Sequence, residues 1–206
     1  MMCRWWPVAV LLLAGCAGPS VVPVPSPERT WSERQSALAA LSDWSLAGRL
    51  GISDGDTGWQ LKLFWRQRPE GFDIDLRGPF GAGAVKLHGD ARGVVLRDDE
   101  GQQWRARDAQ QLLWQHTGIL MPVDGLAWWI RGLPTPRQDR RRMVLDAAGR
   151  LAELQEAGWR IRFLEYMAVD GLELPRNLLI RRDEMEVRVV VDRWRLDGRH
   201  GGKGAS

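Results

Sequence analysis

The chain has 206 residues, of which 44% are hydrophobic and 27% are charged, and its net charge is +3. This length is enough for one domain with a sizeable core. The two cysteines, Cys3 and Cys16, both precede the bulk of the chain, which excludes a disulfide framework and a thiol nucleophile there.

The first fifteen residues have the pattern of an exported protein's leader. Arg4 precedes an apolar run over residues 5–13, which is too short to cross a bilayer as a helix. Leu13-Ala14-Gly15-Cys16 resembles the bacterial lipobox, in which the cysteine receives diacylglycerol before the leader is cleaved ahead of it. The sequence therefore predicts a signal peptide over residues 1–15 and lipidation of Cys16. An ordinary secretory signal with a chance cysteine is the alternative.

A proline-rich stretch follows the cysteine. Residues 17–27 contain four prolines and little that could pack, as is typical of an extended tether. We therefore predict a lipidated cysteine and tether over residues 16–27, one folded domain over residues 28–197 and a disordered tail over residues 198–206. No later stretch has the apolar length of a membrane-spanning helix, so the chain is expected to be anchored rather than spanning.

The domain begins with a helical pattern and then changes to the period of a β-strand. Apolar residues recur at helical spacing from residue 27 to about residue 41. From Trp44 to Ile52 they alternate with polar residues, and Asp54-Gly55-Asp56 supplies a turn. Further short strands are predicted over residues 59–65, 72–76, 84–88, 94–97 and 103–106.

Two helices are predicted before the alternation returns. Asp108 is a candidate N-cap for a helix over residues 109–117, and a second helix over residues 123–131 ends at Gly132. Later strands are predicted over residues 151–155, 159–163, 178–180 and 187–191. About ten short strands joined by tight turns indicate a mainly β (α+β) fold, an antiparallel meander that curls into a barrel or half-barrel with covering helices.

The domain is rich in tryptophan. Two of the 12 tryptophans lie in the leader. The other ten are Trp31, Trp44, Trp59, Trp65, Trp104, Trp114, Trp128, Trp129, Trp159 and Trp194. Several of them must fill the core, but Trp rarely becomes fully buried, so a curved sheet lined by indoles can also enclose a hydrophobic cavity.

Short motifs occur in a fixed order along the domain. They are Leu63-Phe64-Trp65-Arg66-Gln67, Gly78-Pro79-Phe80-Gly81, Thr117-Gly118-Ile119-Leu120-Met121-Pro122, Leu126-Ala127-Trp128-Trp129-Ile130-Arg131-Gly132-Leu133-Pro134, Gly158-Trp159-Arg160-Ile161 and Leu174-Pro175-Arg176-Asn177-Leu178. Each motif alone is weakly specific, but their order, together with the lipobox, resembles the LolB family, the outer-membrane lipoprotein receptors of Gram-negative bacteria.

The resemblance implies an open antiparallel β-barrel of eleven strands with helices as a lid and an internal hydrophobic cavity. It also implies a protein that accepts lipoproteins from the periplasmic carrier LolA and inserts them into the outer membrane, with their acyl chains held in the cavity and without a cofactor or metal. The cavity candidates are Trp31, Trp65, Trp129 and Trp159. For Trp65 and Trp159 the side of the predicted strand is also apolar, and ordinary core packing is the alternative for the set.

In this family, delivery needs an exposed apolar residue on a loop between two strands. Phe80 occupies the matching position here, between Pro79 and Gly81, where many members carry Leu. Proline and glycine favour a projecting turn. The functional interpretation is that Phe80 dips into the lipid interface and helps to release the cargo, and the alternative is that it folds back as a plug on the barrel rim.

The sequence gives little support for catalysis or for nucleic-acid binding. The folded region has His88, His116 and Tyr166, but no Gly-x-Ser-x-Gly elbow, His-Glu-x-x-His helix or glycine-rich phosphate loop. Asp98-Asp99-Glu100-Gly101 is more typical of a hairpin turn than of a carboxylate site. Arg140-Arg141-Arg142 is interpreted as a solvated loop, with a face toward a carrier or lipid head groups as the alternative. We therefore expect a protein that is not an enzyme.

The expected location is the outer membrane, with the anchored domain on the periplasmic side. Ala17 follows the lipidated cysteine, whereas Asp at that position commonly retains lipoproteins in the inner membrane. The expected partners of a monomer are a LolA-type carrier, acylated lipoproteins and outer-membrane phospholipid. A periplasmic lipid- or lipoprotein-sensing adaptor with a similar half-barrel is the alternative function.

Overall fold

The computed structural model describes residues 27–55, 57–79, 83–136 and 140–197. This part of the chain forms three helices and eleven strands. The helices are α1 (Pro27–Ala39), α2 (Ala109–Thr117) and α3 (Val123–Trp129). The strands are β1 (Trp44–Asp54), β2 (Thr57–Arg68), β3 (Gly71–Arg77), β4 (Val85–Asp90), β5 (Gly93–Arg97), β6 (Gln103–Ala106), β7 (Arg141–Leu145), β8 (Leu151–Glu156), β9 (Trp159–Val169), β10 (Leu172–Arg182) and β11 (Met185–Leu196).

The strands form one open antiparallel sheet in the order β6-β5-β4-β3-β2-β1-β11-β10-β9-β8-β7. Two meanders, β1 to β6 and β7 to β11, are joined by the pairing of β1 with β11, in which Leu50 lies opposite Val189. The predicted fold class, a mainly β protein with about eleven antiparallel strands and covering helices, is confirmed.

Alternation of apolar and polar residues gives the sheet a buried inner face and an exposed outer face. In β1, Leu46, Leu50 and Ile52 are buried, and the side chains between them are more exposed. The pairing with β11 shifts register next to Gly48, where an added Cβ would lie 2.3 Å from the backbone oxygen of Val190. A glycine is therefore needed for the two strands to approach this closely.

The helices α2 and α3 belong to the connection between the two edges of the sheet. Because β6 forms one edge and β7 the other, the chain between them has to cross the sheet. Leu112, Leu113 and Leu126 of these helices are buried in the same core as the inner-face side chains of the strands. We call α2 and α3 together the lid.

Polar contacts fix the ends of the lid. Asp108 caps α2 as predicted, since its Oδ1 accepts a hydrogen bond from the backbone N–H of Gln111 at 2.7 Å. Gly118 ends the helix in the left-handed conformation. After α3, the buried Arg131 donates through Nη1 to the backbone oxygen of Leu41 at 2.8 Å, which ties the lid to the segment between α1 and β1. Burial lowers the pKa of Arg131 to about 10.

Two details differ from the sequence prediction. Arg141 and Arg142 begin the edge strand β7 instead of lying in a loop. Side chains on both faces of β7 are largely exposed, so burial imposes no alternation that a sequence could reveal. β10 is also longer than the predicted strand over residues 178–180. It contains Pro175, which lies at a bulge where the pairing with β9 changes register.

The predicted leader, Cys16, the tether up to residue 26 and the tail from residue 198 lie outside the described residues. No helix in the described part of the chain is both long enough and apolar enough to cross a membrane.

Candidate functional site

A cleft of about 660 Å³ lies between β2 and β3 on one side and α3 on the other, and the β8–β9 turn completes its wall. Polar side chains such as Gln67, Asp108, Asp124 and Glu156 share the lining with large apolar ones. The large apolar side chains are Trp65, Phe72, Val123, Trp128, Trp129 and Trp159. We call this site the tryptophan cleft.

Trp65 forms the sheet side of the cleft. It lies on the inner face of β2, and its ring centroid is 5.5 Å from that of Trp44 and 6.4 Å from that of Phe72. Its Nε1 donates to Oε1 of Gln67 at 3.3 Å. The aromatic packing and the hydrogen bond together fix the ring while satisfying its polar atom.

A buried carboxylate fixes the lid side of the cleft. Glu156 is 2% exposed, and its Oε1 accepts from Nε1 of Trp129 at 2.5 Å and from the backbone N–H of Thr135 at 3.0 Å. Such bonds compensate the loss of water around a buried charge. The ring of Trp159 lies 6.1 Å from that of Trp129, so the two indoles form one continuous wall.

A second depression, of about 730 Å³, adjoins the tryptophan cleft and shares Glu156, Ala157 and Trp159 with it. Its distinctive side chains are six arginines, which we call the arginine rim. They are Arg140, Arg141, Arg142, Arg160, Arg181 and Arg182. The guanidinium of Arg182 lies 4.4 Å from the ring centroid of Trp159, at the junction of the two depressions.

Three of the four tryptophans expected at a cavity come together in the cleft. These are Trp65, Trp129 and Trp159. Trp31 lies on α1 and is not among the residues that line the cleft. All four rings are buried, Trp65 and Trp129 to within 2% exposure, so they also pack as core. Occupation of the cleft by acyl chains stays a prediction for all four residues.

The predicted projecting loop lies between β3 and β4. Pro79 is exposed, whereas Phe80 and Gly81 fall outside the described residues, so the role of these three residues stays a prediction. On the far side of the loop, the backbone N–H of Gly83 donates to Oδ2 of Asp99 at 3.1 Å. Asp99 belongs to the turn between β5 and β6, as predicted for that acidic stretch, and it ties the base of the loop to this turn.

The titratable residues noted in the sequence each have a different partner. Nδ1 of His88 lies 2.8 Å from Oδ1 of Asp73 on the outer face, and the ring of His116 stacks on Trp104. Although partial burial acts to raise the pKa of Asp73, hydrogen bonds from His88 and an arginine hold it below its usual range. Tyr166 donates to a backbone oxygen. Within the described ranges, no group of three or more His, Cys, Asp or Glu side chains could hold a metal ion.

Glu156, which positions Trp129, is a site residue that was not predicted from the sequence. A signal was present, because Glu156 has the same parity in β8 as the buried Leu154 and is therefore a charge at an inward-facing position. Half of the arginine rim, Arg140-Arg141-Arg142, had been noted in the sequence, with a carrier or lipid head groups as the alternative to a solvated loop. Arg160, Arg181 and Arg182 come from other strands, and only the sheet brings them to this run.

Comparisons with known proteins identify the family. A family model described as outer membrane lipoprotein LolB matches residues 42–194. The outer-membrane lipoprotein LolB of Nitrosococcus oceani is 38% identical over 191 residues, which cover 92% of this chain and 94% of that protein. The protein of the same name from Alkalilimnicola ehrlichii is 39% identical over 189 residues, with the same two shares.

Solved structures have the same fold at low sequence identity. A LolA superfamily protein from Nitrosomonas europaea gives a TM-score of 0.55 at 9% identity, over 84% of this chain and 94% of that one. A DUF1329 family protein from Desulfovibrio piger gives 0.54 at 9% identity, over 85% and 95%. These structures support the fold alone. The match to the family model and the two relatives establish the family. The chain belongs to the LolB family of outer-membrane lipoproteins.

Proposed function

We propose that this protein accepts acylated lipoproteins from a LolA-type periplasmic carrier and inserts them into the outer membrane. The observation that carries the proposal is the tryptophan cleft, a space between the sheet and the lid that four tryptophans line, in a member of the LolB family. In this proposal the cleft holds the acyl chains of the cargo during transfer. The family is one of lipoprotein trafficking, and the proposal involves no catalytic step.

The energetics of acyl chains require a sheltered path. Each methylene group that leaves water contributes about 0.8 kcal/mol, so the roughly forty methylenes of a triacylated lipoprotein would cost on the order of 30 kcal/mol to expose. No carrier could release such a cargo into water at a useful rate. Transfer therefore proceeds from the mouth of one apolar site to the mouth of another.

The direction of transfer follows from affinities. The sequence contains no nucleotide-binding motif, so a difference in free energy between the carrier site, the tryptophan cleft and the bilayer has to drive the cargo forward. Lipidation at Cys16 would keep the receptor at the membrane that receives the cargo. Phe80, beside the exposed Pro79, would contact the lipid interface there.

Reconstitution tests the proposal. A complex of a LolA-type carrier with a labelled lipoprotein is mixed with the chain from residue 17 onward, which lacks the anchor, and the lipoprotein is located by size exclusion. We expect it to move to this protein, and to move on to liposomes when the anchored protein is present in them. A sensing adaptor with the same cleft would bind the lipoprotein but would leave the amount inserted into liposomes unchanged.

A further inference from the structure

The arginine rim is a feature that acyl-chain carriage does not explain. Hydrocarbon chains offer a guanidinium group nothing to bind, yet six arginines line the depression beside the tryptophan cleft. The rim and the cleft meet at Trp159, whose ring contacts Trp129 on one side and the Arg182 guanidinium on the other.

The sheet register forces several of these positive charges together. Arg142 lies opposite Gln155, Gln155 opposite Arg160, and Arg160 opposite Arg181, which gives one row across β7, β8, β9 and β10. Like charges directly opposite each other on an antiparallel pair are unfavourable. Of these residues, Arg160 and Arg181 are the directly opposed pair, and an anion nearby would reduce their repulsion.

Acidic side chains nearby, including Asp183 in the lining of the depression, compensate this charge only in part. Arg181 pairs with Glu186, and Arg160 approaches Glu153 at 3.7 Å. Glu156 is engaged by Trp129 and by a backbone N–H, so it does not face the guanidinium groups as a partner. Arg140 and Arg142 form no ion pair with any residue in the described part of the chain.

We propose that the arginine rim and the tryptophan cleft together bind an anionic phospholipid, with its phosphate at the part of the rim next to Arg182, whose guanidinium lies over Trp159, and an acyl chain in the cleft. Guanidinium groups match the geometry of phosphate oxygens and bind them through charge-assisted hydrogen bonds. An acidic protein segment would satisfy the arginines alone, whereas an anionic lipid satisfies the arginines and the adjoining apolar wall. This inference rests on the proposed function, because it places a lipid chain in the same cleft.

The test uses the mature, lipidated protein in uncharged detergent micelles. Dioctanoyl phosphatidylglycerol and dioctanoyl phosphatidylcholine, which differ in net charge but have the same chains, are titrated separately while tryptophan emission is followed. The site variant is Arg142→Met with Arg182→Met. The matched control is Arg193→Met with Arg195→Met, which removes the same charge from exposed positions of β11. Melting temperatures verify that both variants fold.

We expect the wild-type protein and the control variant to bind phosphatidylglycerol about tenfold more tightly than phosphatidylcholine, and the site variant to bind both lipids equally. Equal affinities in the wild-type protein, or equal losses in both variants, would overturn the proposal. So would displacement of the lipid by glycerol phosphate at the same concentration, which indicates a free-phosphate site, or by polyglutamate, which indicates an acidic protein partner.

A neutral diacylated lipopeptide separates this inference from the proposed function. If the lipopeptide shifts the tryptophan emission but phosphatidylglycerol has no advantage over phosphatidylcholine, the rim proposal alone is wrong. If the lipopeptide does not bind, the proposed function of the cleft is wrong as well.

Discussion

The indole nitrogen of Trp129 and the carboxylate of Glu156 form a buried hydrogen bond of 2.5 Å that joins the last residue of α3 to the last residue of β8. Glu156→Leu would leave both this N–H and the backbone N–H of Thr135 without an acceptor. We expect the free energy of unfolding, measured by urea denaturation, to fall by about 2–4 kcal/mol. Glu156→Gln keeps one acceptor oxygen and should cost about 1 kcal/mol. Glu153→Leu on the same strand is the control, and equal stability of the two leucine variants would contradict the assigned role.

Gly48 and Gly51 on β1 provide a matched pair for the close approach of β11. A Cβ at Gly48 would meet the backbone oxygen of Val190 at 2.3 Å, whereas at Gly51 the nearest atom is the side-chain nitrogen of Gln60 at 3.3 Å. Gly48→Ala should therefore lower the free energy of unfolding by about 1–3 kcal/mol. Gly51→Ala should change it by less than about 1 kcal/mol, because a flexible side chain can move aside. Urea denaturation of both variants gives the comparison, and similar losses would refute the strand-approach argument.

Tyr166 is the single tyrosine of the chain, so its ionisation can be followed directly by absorbance at 295 nm. Burial raises the pKa of its hydroxyl group despite the guanidinium groups of Arg34 and Arg150 over its ring. In the folded protein the absorbance should stay flat well above pH 10, while in urea it should rise near pH 10, the ordinary value.

The raised pKa of Tyr166 also has a consequence for stability. As the pH rises, the unfolded chain loses the Tyr166 proton before the folded protein does. The contribution of the protonated hydroxyl to the free energy of unfolding is therefore fully present below about pH 10 and is lost as the pH rises through the folded pKa. Tyr166→Phe should remove the part of the stability loss at alkaline pH that comes from ionisation of Tyr166. At neutral pH it should lower the free energy of unfolding by about 1 kcal/mol, because the hydrogen bond to the backbone oxygen of Leu151 disappears. Coincident titrations of the folded and the unfolded chain would rule out the shift.

Phe80→Glu separates the two interpretations of the projecting loop. An exposed Phe forgoes roughly 2 kcal/mol of burial, so a membrane-contacting role predicts that the variant folds and takes up cargo normally but fails to insert it into liposomes. Phe80→Leu, which keeps the apolar character, should insert cargo at the normal rate. Thermal melting and the liposome assay are measured together. A loss of several kcal/mol in Phe80→Glu would instead indicate a plug in the rim.

Cys16→Ala tests the anchor. Without the thiol there is nothing to alkylate, so the variant should accumulate as an uncleaved precursor that incorporates no labelled fatty acid. Cys3→Ala is the matched control, because Cys3 lies in the predicted leader and should be dispensable for processing. Normal cleavage and labelling of the Cys16 variant would show that the lipobox interpretation is wrong.

Much of the fold could be predicted because its residues follow local rules. The alternation from Trp44 to Ile52 reflects burial of a single face of β1, and Asp108 caps α2 through a contact three residues away. Trp65 and Trp159 lie on the inner side of their strands for the same reason. These signals depend on neighbours along the chain.

The remainder depends on contacts that are distant in sequence. Arg142 is exposed on the edge strand β7, so nothing in its neighbourhood distinguishes a strand from a loop. Pro175 normally ends a strand, but a bulge against β9 accommodates it within β10. The arginine rim exists only because the register of four strands aligns Arg142, Arg160 and Arg181.

The pairing of the first strand with the last determines when the sheet can be completed. Each meander can form from hairpins of consecutive strands, but β1 and β10 keep an unpaired edge until β11, at the end of the domain, has been synthesised. Contacts this distant in sequence slow folding, and open edges recruit other chains into aggregates. Truncation within β11 would therefore divide the sheet at its centre instead of shortening one of its edges. The truncated chain would expose the unpaired edges of β1 and β10, which could pair with other chains.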